Sequence, residues 1–251
     1  MNLWKVLYIK ELKDNRNTFL FLVVATLVLD LYAYARGVVD GKPTPYLILA
    51  LVPFVAVFIF PFVLLHSFSQ EFKGQTHYQL LALPVPRAAV VMAKFLAVFS
   101  AGVAVFVLAM GAVHLISLDY TGLTRDRYLY GRFTALQGSA MWWSAGQCYF
   151  VSLLLLMGVA TAMAGLKLVI KRIQRLGMAA FLVASLYLYG RMLASFIEPL
   201  SRLFGRQVPF ADSSGATGYL STMLSIEFFT VLFSLLLLGL GLLLFERFAE
   251  A

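Results

Sequence analysis

The sequence predicts an all-α, polytopic membrane protein with six transmembrane helices. Of the 251 residues 61% are hydrophobic and 13% are charged, whereas soluble domains are about 45–50% apolar and about 25% charged. The basic residues behind the net charge of +8 stand in short groups between long apolar runs, as in cytoplasmic loops that face anionic lipid. The single cysteine, Cys148, excludes an intrachain disulfide. This composition argues against a soluble enzyme, a nucleic-acid-binding domain and a disordered chain, so we expect a lipid membrane and no nucleic acid as partner.

Charge-free runs give the position of each span. A helix needs about 20 mostly apolar residues to cross the hydrocarbon. Three runs are long enough unaided, and the other three reach this length only if one flanking charge lies inside the span: Asp30, Arg191 and Glu227. The predicted spans lie near residues 17–36, 46–69, 94–117, 142–166, 175–197 and 223–246. We interpret residues 1–251 as a single transmembrane domain.

The distribution of Lys and Arg gives the orientation. With the N-terminus inside, twelve of these residues fall in cytoplasmic segments and seven in outer loops. We therefore expect a multi-pass protein of the plasma (cell inner) membrane with cytoplasmic N- and C-termini. The long outer connections are residues 118–141 and 198–222, and the second has the composition of turns, short helices or a flexible loop.

Three charges are predicted to lie within the membrane. Asp30 and Arg191 follow their nearest inner basic residue by fourteen and sixteen positions, so both lie about 20–25 Å above the inner face at about 1.5 Å per residue. Glu227, near the outer start of the last span, has a similar depth. Because intramembrane charges are costly unless paired, Arg191 is expected to pair with Asp30 or Glu227. The alternative is that each side chain reaches separately to the headgroups.

Two further residue types predict local features of the bundle. Pro53 and Pro61 each remove a backbone donor and should bend the second span. Small residues allow close helix packing, within the subunit or across a dimer: Ala97, Ala101, Gly158, Ala162 and Gly165.

Catalytic and phosphate-binding patterns are missing from the sequence. There is no G-x-x-x-x-G-K-[ST] loop, so we expect no ATP site and no cofactor in this chain. His66, His77 and His114 are too dispersed in depth to share a metal. No hydrolase string such as H-E-x-x-H occurs. The protein is therefore expected not to be an enzyme.

The cytoplasmic segment between spans 2 and 3 carries the most specific pattern. Thr76 and Gln79 form a T-x-x-Q capping box that starts a helix, and Pro84 and Pro86 end it about two turns later. This short helix offers an apolar surface made of Tyr78, Leu80, Leu81 and Leu83. It either rests on lipid or docks into a groove of a partner.

The same segment resembles the permease subunits of type-2 ABC exporters. It follows the E…T…LL-x-LP-x-x-R…K order typical of that family through Glu71, Thr76, Leu80, Leu81, Leu83, Pro84, Arg87 and Lys94. The resemblance implies that residues 71–87 form a coupling helix on separate ATP-binding subunits, which would hold ATP and magnesium. It also implies a second permease copy or a paralogue, and an interfacial "elbow" helix within residues 1–16. Glu11 and Asp14 share the helical face of the elbow's apolar residues.

By the same resemblance, the loop between spans 4 and 5 would be a second cytoplasmic contact with the ATPase, through Lys171, Arg172 and Arg175. Plain positive-inside topology explains these basic residues equally well.

Three other functions stay open. The first is a permease for haem delivery or metal-centre assembly, whose loop is similar. The second is an ion-coupled secondary transporter that uses Asp30, Arg191 and Glu227, and the third is a membrane scaffold without transport.

Overall fold

The computed structural model describes residues 3–40, 48–73, 86–123, 139–170, 173–203, 209–211, 217–219 and 221–248. Within these ranges the chain is almost entirely helical, which confirms the predicted fold class. The α-helices are α1 (Leu3–Asp14), α2 (Arg16–Asp40), α3 (Phe60–Lys73), α4 (Arg87–Leu123), α5 (Ser139–Val169), α6 (Gln174–Leu203) and α7 (Ser221–Phe248). A 3₁₀ helix, Val52–Phe58, precedes α3.

Within the described ranges, six helices are long and apolar enough to cross a membrane, as predicted. They cover Arg16–Arg36, Ile48–Gln70, Arg87–Leu118, Ala145–Val169, Leu176–Leu200 and Ser225–Arg247. The third begins seven residues before its predicted start, because the helix continues through Lys94 back to Arg87. The charge of Lys94 does not end the helix, since its side chain is buried with a partner.

The second outer connection contains a short β-hairpin. Strands β1 (Pro209–Ala211) and β2 (Thr217–Tyr219) pair antiparallel, with Phe210 opposite Gly218. The helix before them continues through Pro199 to Leu203. The predicted outer connection thus begins later than expected and includes a paired segment.

The second span changes its helical geometry at its two prolines. Pro53 lies in the first turn of the 3₁₀ helix, and Pro61 lies at the start of α3. Between them the backbone N–H of Ile59 donates to the carbonyl of Ala56 at 2.8 Å, a 3₁₀-type bond. Since neither proline can donate to an α-type bond, the α-helical hydrogen bonding of this span is interrupted; the predicted bend stays a prediction.

The closest helix packing joins α5 and α7. A Cβ atom added at Gly158 would lie 2.8 Å from the Ser234 carbonyl oxygen, and one at Gly241 would lie 2.9 Å from the backbone of Thr161. On the same side of α5, Gly165 approaches Leu244. Gly158, Gly165 and Gly241 therefore act within the subunit, where they let two helices approach closely.

Helix α6 is the least enclosed span. Only 6% of its most apolar window is buried inside the chain, and Val183, Leu186 and Tyr187 are largely exposed. It nevertheless packs along α5 and α7, where Tyr189 contacts the rings of Phe229 and Phe233. Its remaining surface is left for lipid or for another protein chain.

Candidate functional site

The candidate site is a buried polar cluster at the end of the bundle that is predicted to be cytoplasmic. It joins α1 to the last turns of α3 and to the first turns of α4. Residues 74–85, which connect α3 to α4 and contain the predicted coupling helix, lie outside the described residues. Both flanks of that segment are described, so its attachment to the bundle is defined.

Helix α1 brings an acid into this cluster because of its residue spacing. Leu7, Glu11 and Asn15 follow one another at intervals of four, share one helical face and are all buried. Trp4 and Asp14 are exposed on the rest of the helix. Glu11 therefore lies within the buried stripe, with 2% of its surface exposed.

Lys94 of α4 neutralises this buried acid. Its Nζ atom lies 2.8 Å from Glu11 Oε2 and donates a second hydrogen bond to Ser67 Oγ at 3.0 Å. The Ser67 hydroxyl in turn donates to Glu11 Oε2 at 3.2 Å. These bonds form a closed ring, and Lys94 and Ser67 expose only 2% and 5% of their surface.

Further contacts surround the hydrogen-bonded ring of Glu11, Ser67 and Lys94. The Lys94 ammonium lies 5.7 Å from the centroid of the Phe68 ring, a distance at which cation–π attraction acts. Phe68 packs on Phe245 of α7 with ring centroids 5.1 Å apart. The Asn15 side chain donates to the Glu11 carbonyl at 3.1 Å. The hydrogen-bonded ring of Glu11, Ser67 and Lys94 is thus buried between α1, α3, α4 and α7.

Further hydrogen bonds fix the two flanks of the 74–85 segment. Arg87, the first residue of α4, donates from Nη1 to the Glu246 carbonyl oxygen near the end of α7 at 2.8 Å. Lys167 of α5 donates to Ser69 Oγ of α3 at 3.2 Å. Both flanks of the loop are therefore hydrogen-bonded to other spans, α7 and α5.

Most predicted coupling residues lie outside the described residues, namely Thr76, Tyr78, Gln79, Leu80, Leu81, Leu83 and Pro84. Glu71 lies in the last turn of α3, and Arg87 makes the bond to α7 given above. Of the second predicted contact, Lys171 and Arg172 are outside the described residues, and Arg175 lies in the first turn of α6. Their roles stay predictions.

The expected ion pair of Arg191 with Asp30 or Glu227 is wrong for the described part of the chain. Asp30 is 6% exposed, and neither of its carboxylate oxygens has a hydrogen-bond partner there. Arg191 is exposed, and Glu227 is partly exposed beside a cleft. Asp30 is kept from Arg191 by the helix arrangement, since α2 packs on α4, whereas α6 packs on α5 and α7. Glu227 lies on the neighbouring α7, but Arg191 lies on the exposed side of α6. Equal depth did not place the three charges side by side.

The ring of Glu11, Ser67 and Lys94 was missed as a unit at the level of sequence. Two signals for it were present. An acid interrupts the apolar face of the first helix, and a lysine lies eight positions after Pro86 in an otherwise apolar stretch. A buried acid requires a partner, and a lysine near the inner end of a span can supply one.

A comparison with known families gives the identity. A family profile described as "ABC-2 family transporter protein" matches residues 11–191, which is more than half of the chain. The chain belongs to the ABC-2 family of transporter proteins. It is therefore a multi-pass permease, the membrane subunit of an ABC transporter, as the resemblance in the loop predicted. Neither a search of curated proteins nor a search of solved structures found a match.

The range matched by the ABC-2 family profile contains the three residues of the hydrogen-bonded ring. It begins at Glu11, ends at Arg191 and includes Ser67 and Lys94. Because the membrane subunits of ABC transporters work with ATP-binding subunits, membership also implies such a partner for this permease.

Proposed function

We propose that this permease forms the substrate path of an ATP-driven exporter and couples to separate ATP-binding subunits through residues 71–87. ATP and magnesium would bind to those subunits. The observation that carries the proposal is the buried ring, since Ser67 and Lys94 flank the loop and both bind Glu11. The direction of transport rests on the resemblance to exporters.

The ring gives the loop a mechanical connection. A buried ion pair with matched hydrogen bonds is costly to break, at about 3–5 kcal/mol when one partner is lost. Helices α1, α3 and α4 are therefore expected to move together at this end when an ATP-binding subunit pulls or pushes the loop. Arg87 and Lys167 extend the connection to α7 and α5.

We further propose that two permease copies, or this chain and a paralogue, form the transporter. The exposed apolar surface of α6 supports this arrangement. The bias of basic residues supports cytoplasmic termini in a plasma (cell inner) membrane. Lys171, Arg172 and Arg175 would then lie on the same side as the coupling loop and could bind the ATPase or anionic lipid.

An ion-coupled mechanism receives less support. It would use Asp30, Arg191 and Glu227 together, and these residues occupy three separate environments within the described part of the chain. A permease for haem delivery or metal-centre assembly remains compatible with the loop pattern, and a cargo assay would separate it from an exporter.

The test is co-purification with the cognate ATP-binding subunit, followed by ATPase activity in liposomes. Leu80→Asp combined with Leu81→Asp removes two apolar anchors, each worth about 1.5–3 kcal/mol when buried, so the complex should dissociate. The permease alone should stay folded, because these residues lie between the spans.

A matched control adds the same charge without removing an anchor: Gln75→Asp combined with His77→Asp. It should assemble nearly as well as the original chain. Normal assembly of the Leu80 and Leu81 double variant would show that the loop is not the docking element.

A further inference from the structure

A cleft of about 370 Å³ opens between the 3₁₀ helix and helices α5, α6 and α7. This volume lies within the range of about 300–1,000 Å³ that is usual for small-molecule sites. Phe58, Leu155 and Leu156 contribute apolar walls, and Tyr189 forms part of the lining. The cleft is separate from the hydrogen-bonded ring, since Glu11, Ser67 and Lys94 are not among its lining residues.

The hydrogen bonds at one edge of the cleft leave mainly acceptors for a ligand. The Thr230 hydroxyl donates to the Ile226 carbonyl at 2.6 Å. Thr230 Oγ1 also lies 2.8 Å from Tyr189 Oη, so the Tyr189 hydroxyl must be the donor in that pair. Both hydroxyl hydrogens are thus used within the protein, and the Tyr189 oxygen keeps lone pairs that can accept.

Glu227 adds the charge at this edge. Among the lining residues, all of which belong to the described part of the chain, it is the one ionisable acid or base apart from Tyr189 and Cys148. The described residues supply no salt-bridge partner for it. A carboxylate within a span is costly unless it is paired or faces a polar cavity. A cationic ligand in the cleft would provide the missing charge.

We propose that this cleft binds a small organic cation with an apolar body, held by the Glu227 carboxylate beside Tyr189. Apolar walls offer no groups to replace the water around a strongly hydrated metal ion, so they disfavour it. Aromatic or alkyl groups around a positive nitrogen or phosphorus can pack against these walls. Aromatic rings attract such cations through their negative faces. That the bound cation is cargo rests on the proposed function; the binding itself does not.

Cys148 provides a reporter inside the cleft. It is the single cysteine of the chain and is exposed to the cleft, so its reaction with N-ethylmaleimide can be followed by intact mass. The purified full-length permease is placed in phosphatidylglycerol nanodiscs, and tetraphenylphosphonium is the probe. The probe should slow the reaction in a saturable manner. Tetraphenylborate has the same shape and the opposite charge, and it should not.

Glu227→Gln should raise the half-protecting concentration of tetraphenylphosphonium about tenfold, and Glu227→Asp should retain most of the protection. Glu198→Gln is the matched control, because Glu198 is an exposed acid bound to Arg202 on α6 and is not among the lining residues. It should leave protection unchanged. The rate without probe must be the same in all variants, which confirms that the cleft is intact.

Three results would overturn the proposal. Equal protection by the two ions would indicate simple partitioning, and unchanged protection in Glu227→Gln would remove the carboxylate from recognition. If phosphatidylethanolamine in the nanodisc slowed the reaction of Cys148, and tetraphenylphosphonium then had no further effect, the cleft would be assigned to a lipid amine. Because the assay needs no ATPase subunit, these failures are distinct from failure of the proposed coupling.

Discussion

Loss of the Lys94 charge is the most direct perturbation of the candidate site. Lys94→Met keeps an unbranched side chain of similar length but leaves the Glu11 carboxylate buried, with the Ser67 hydroxyl as its hydrogen-bond partner and the Lys10 ammonium 3.9 Å from Oε1. Removal of one member of a buried ion pair costs about 3–5 kcal/mol. For a chain of this size about 1 kcal/mol lowers the unfolding midpoint by about 2–4 °C, so we expect a decrease of about 6–20 °C.

The assay is thermal unfolding of the detergent-purified permease, followed by intrinsic fluorescence at a fixed heating rate. Asp14→Asn is the matched control, since Asp14 is exposed and pairs with Lys10 at 3.8 Å on the same helix. Such a surface pair is worth at most about 1 kcal/mol. The control should therefore shift the midpoint by only a few degrees.

The double variant Lys94→Met with Glu11→Leu completes the cycle. Replacement of both charges by apolar groups removes the uncompensated carboxylate, so stability should recover substantially. Additive losses in the double variant would show that the two charges do not interact. A Lys94→Met midpoint equal to that of Asp14→Asn would refute the argument that the ring is buried and closed.

Three other perturbations test the fold and the loop. Thr76→Ala removes the predicted helix cap at a typical cost of about 1 kcal/mol, so ATP hydrolysis linked to transport should weaken while the complex still co-purifies; unchanged coupling would argue against the cap. Gly158→Ala should destabilise the permease by about 1–3 kcal/mol in the same thermal assay, because its Cβ meets the backbone of α7. Its control is Gly239→Ala, whose Cβ would have no atom within 4 Å. This control should be neutral or stabilising by up to about 1 kcal/mol. In a chain without Cys148, a cysteine at position 128 should react with an impermeant thiol reagent from outside intact cells and one at position 172 should not; the reverse would overturn the predicted topology.

The six spans followed from sequence because the membrane imposes one requirement on every segment. Each span needs about 20 apolar residues, and that length is visible in a single run. The loss of a backbone donor at Pro53 and Pro61 could also be predicted, because a proline lacks the N–H group wherever it stands. Gly158 and Gly165 were predicted to allow close packing, but their neighbours on α7 were not. A small residue shows that a helix can approach, and only the fold shows which one.

The ring of Glu11, Ser67 and Lys94 depends on contacts that local sequence does not encode. Glu11 and Lys94 are separated by 83 positions, so no helical period or motif spacing relates them. From the sequence, Glu11 is an acid on the apolar face of an interfacial helix. In the fold it is the buried partner of a lysine. The family pattern included Lys94 without explaining why a lysine belongs inside a span, and the ion pair with α1 supplies that physical reason.

The three charges predicted to lie within the membrane show that depth along a span does not determine what surrounds a side chain. Distance along a helix places Asp30, Arg191 and Glu227 at similar levels, but their directions around each helix decide their surroundings. Asp30 faces the interior of the bundle, Arg191 lies on the exposed side of α6, and Glu227 faces a cleft. These environments require different explanations: Arg191 can reach the headgroups with its long side chain, whereas Glu227 has space beside it for a ligand. A carboxylate at the edge of an apolar cleft can select its ligand by charge, whereas Arg191 lies on the exposed side of α6 and does not line that cleft.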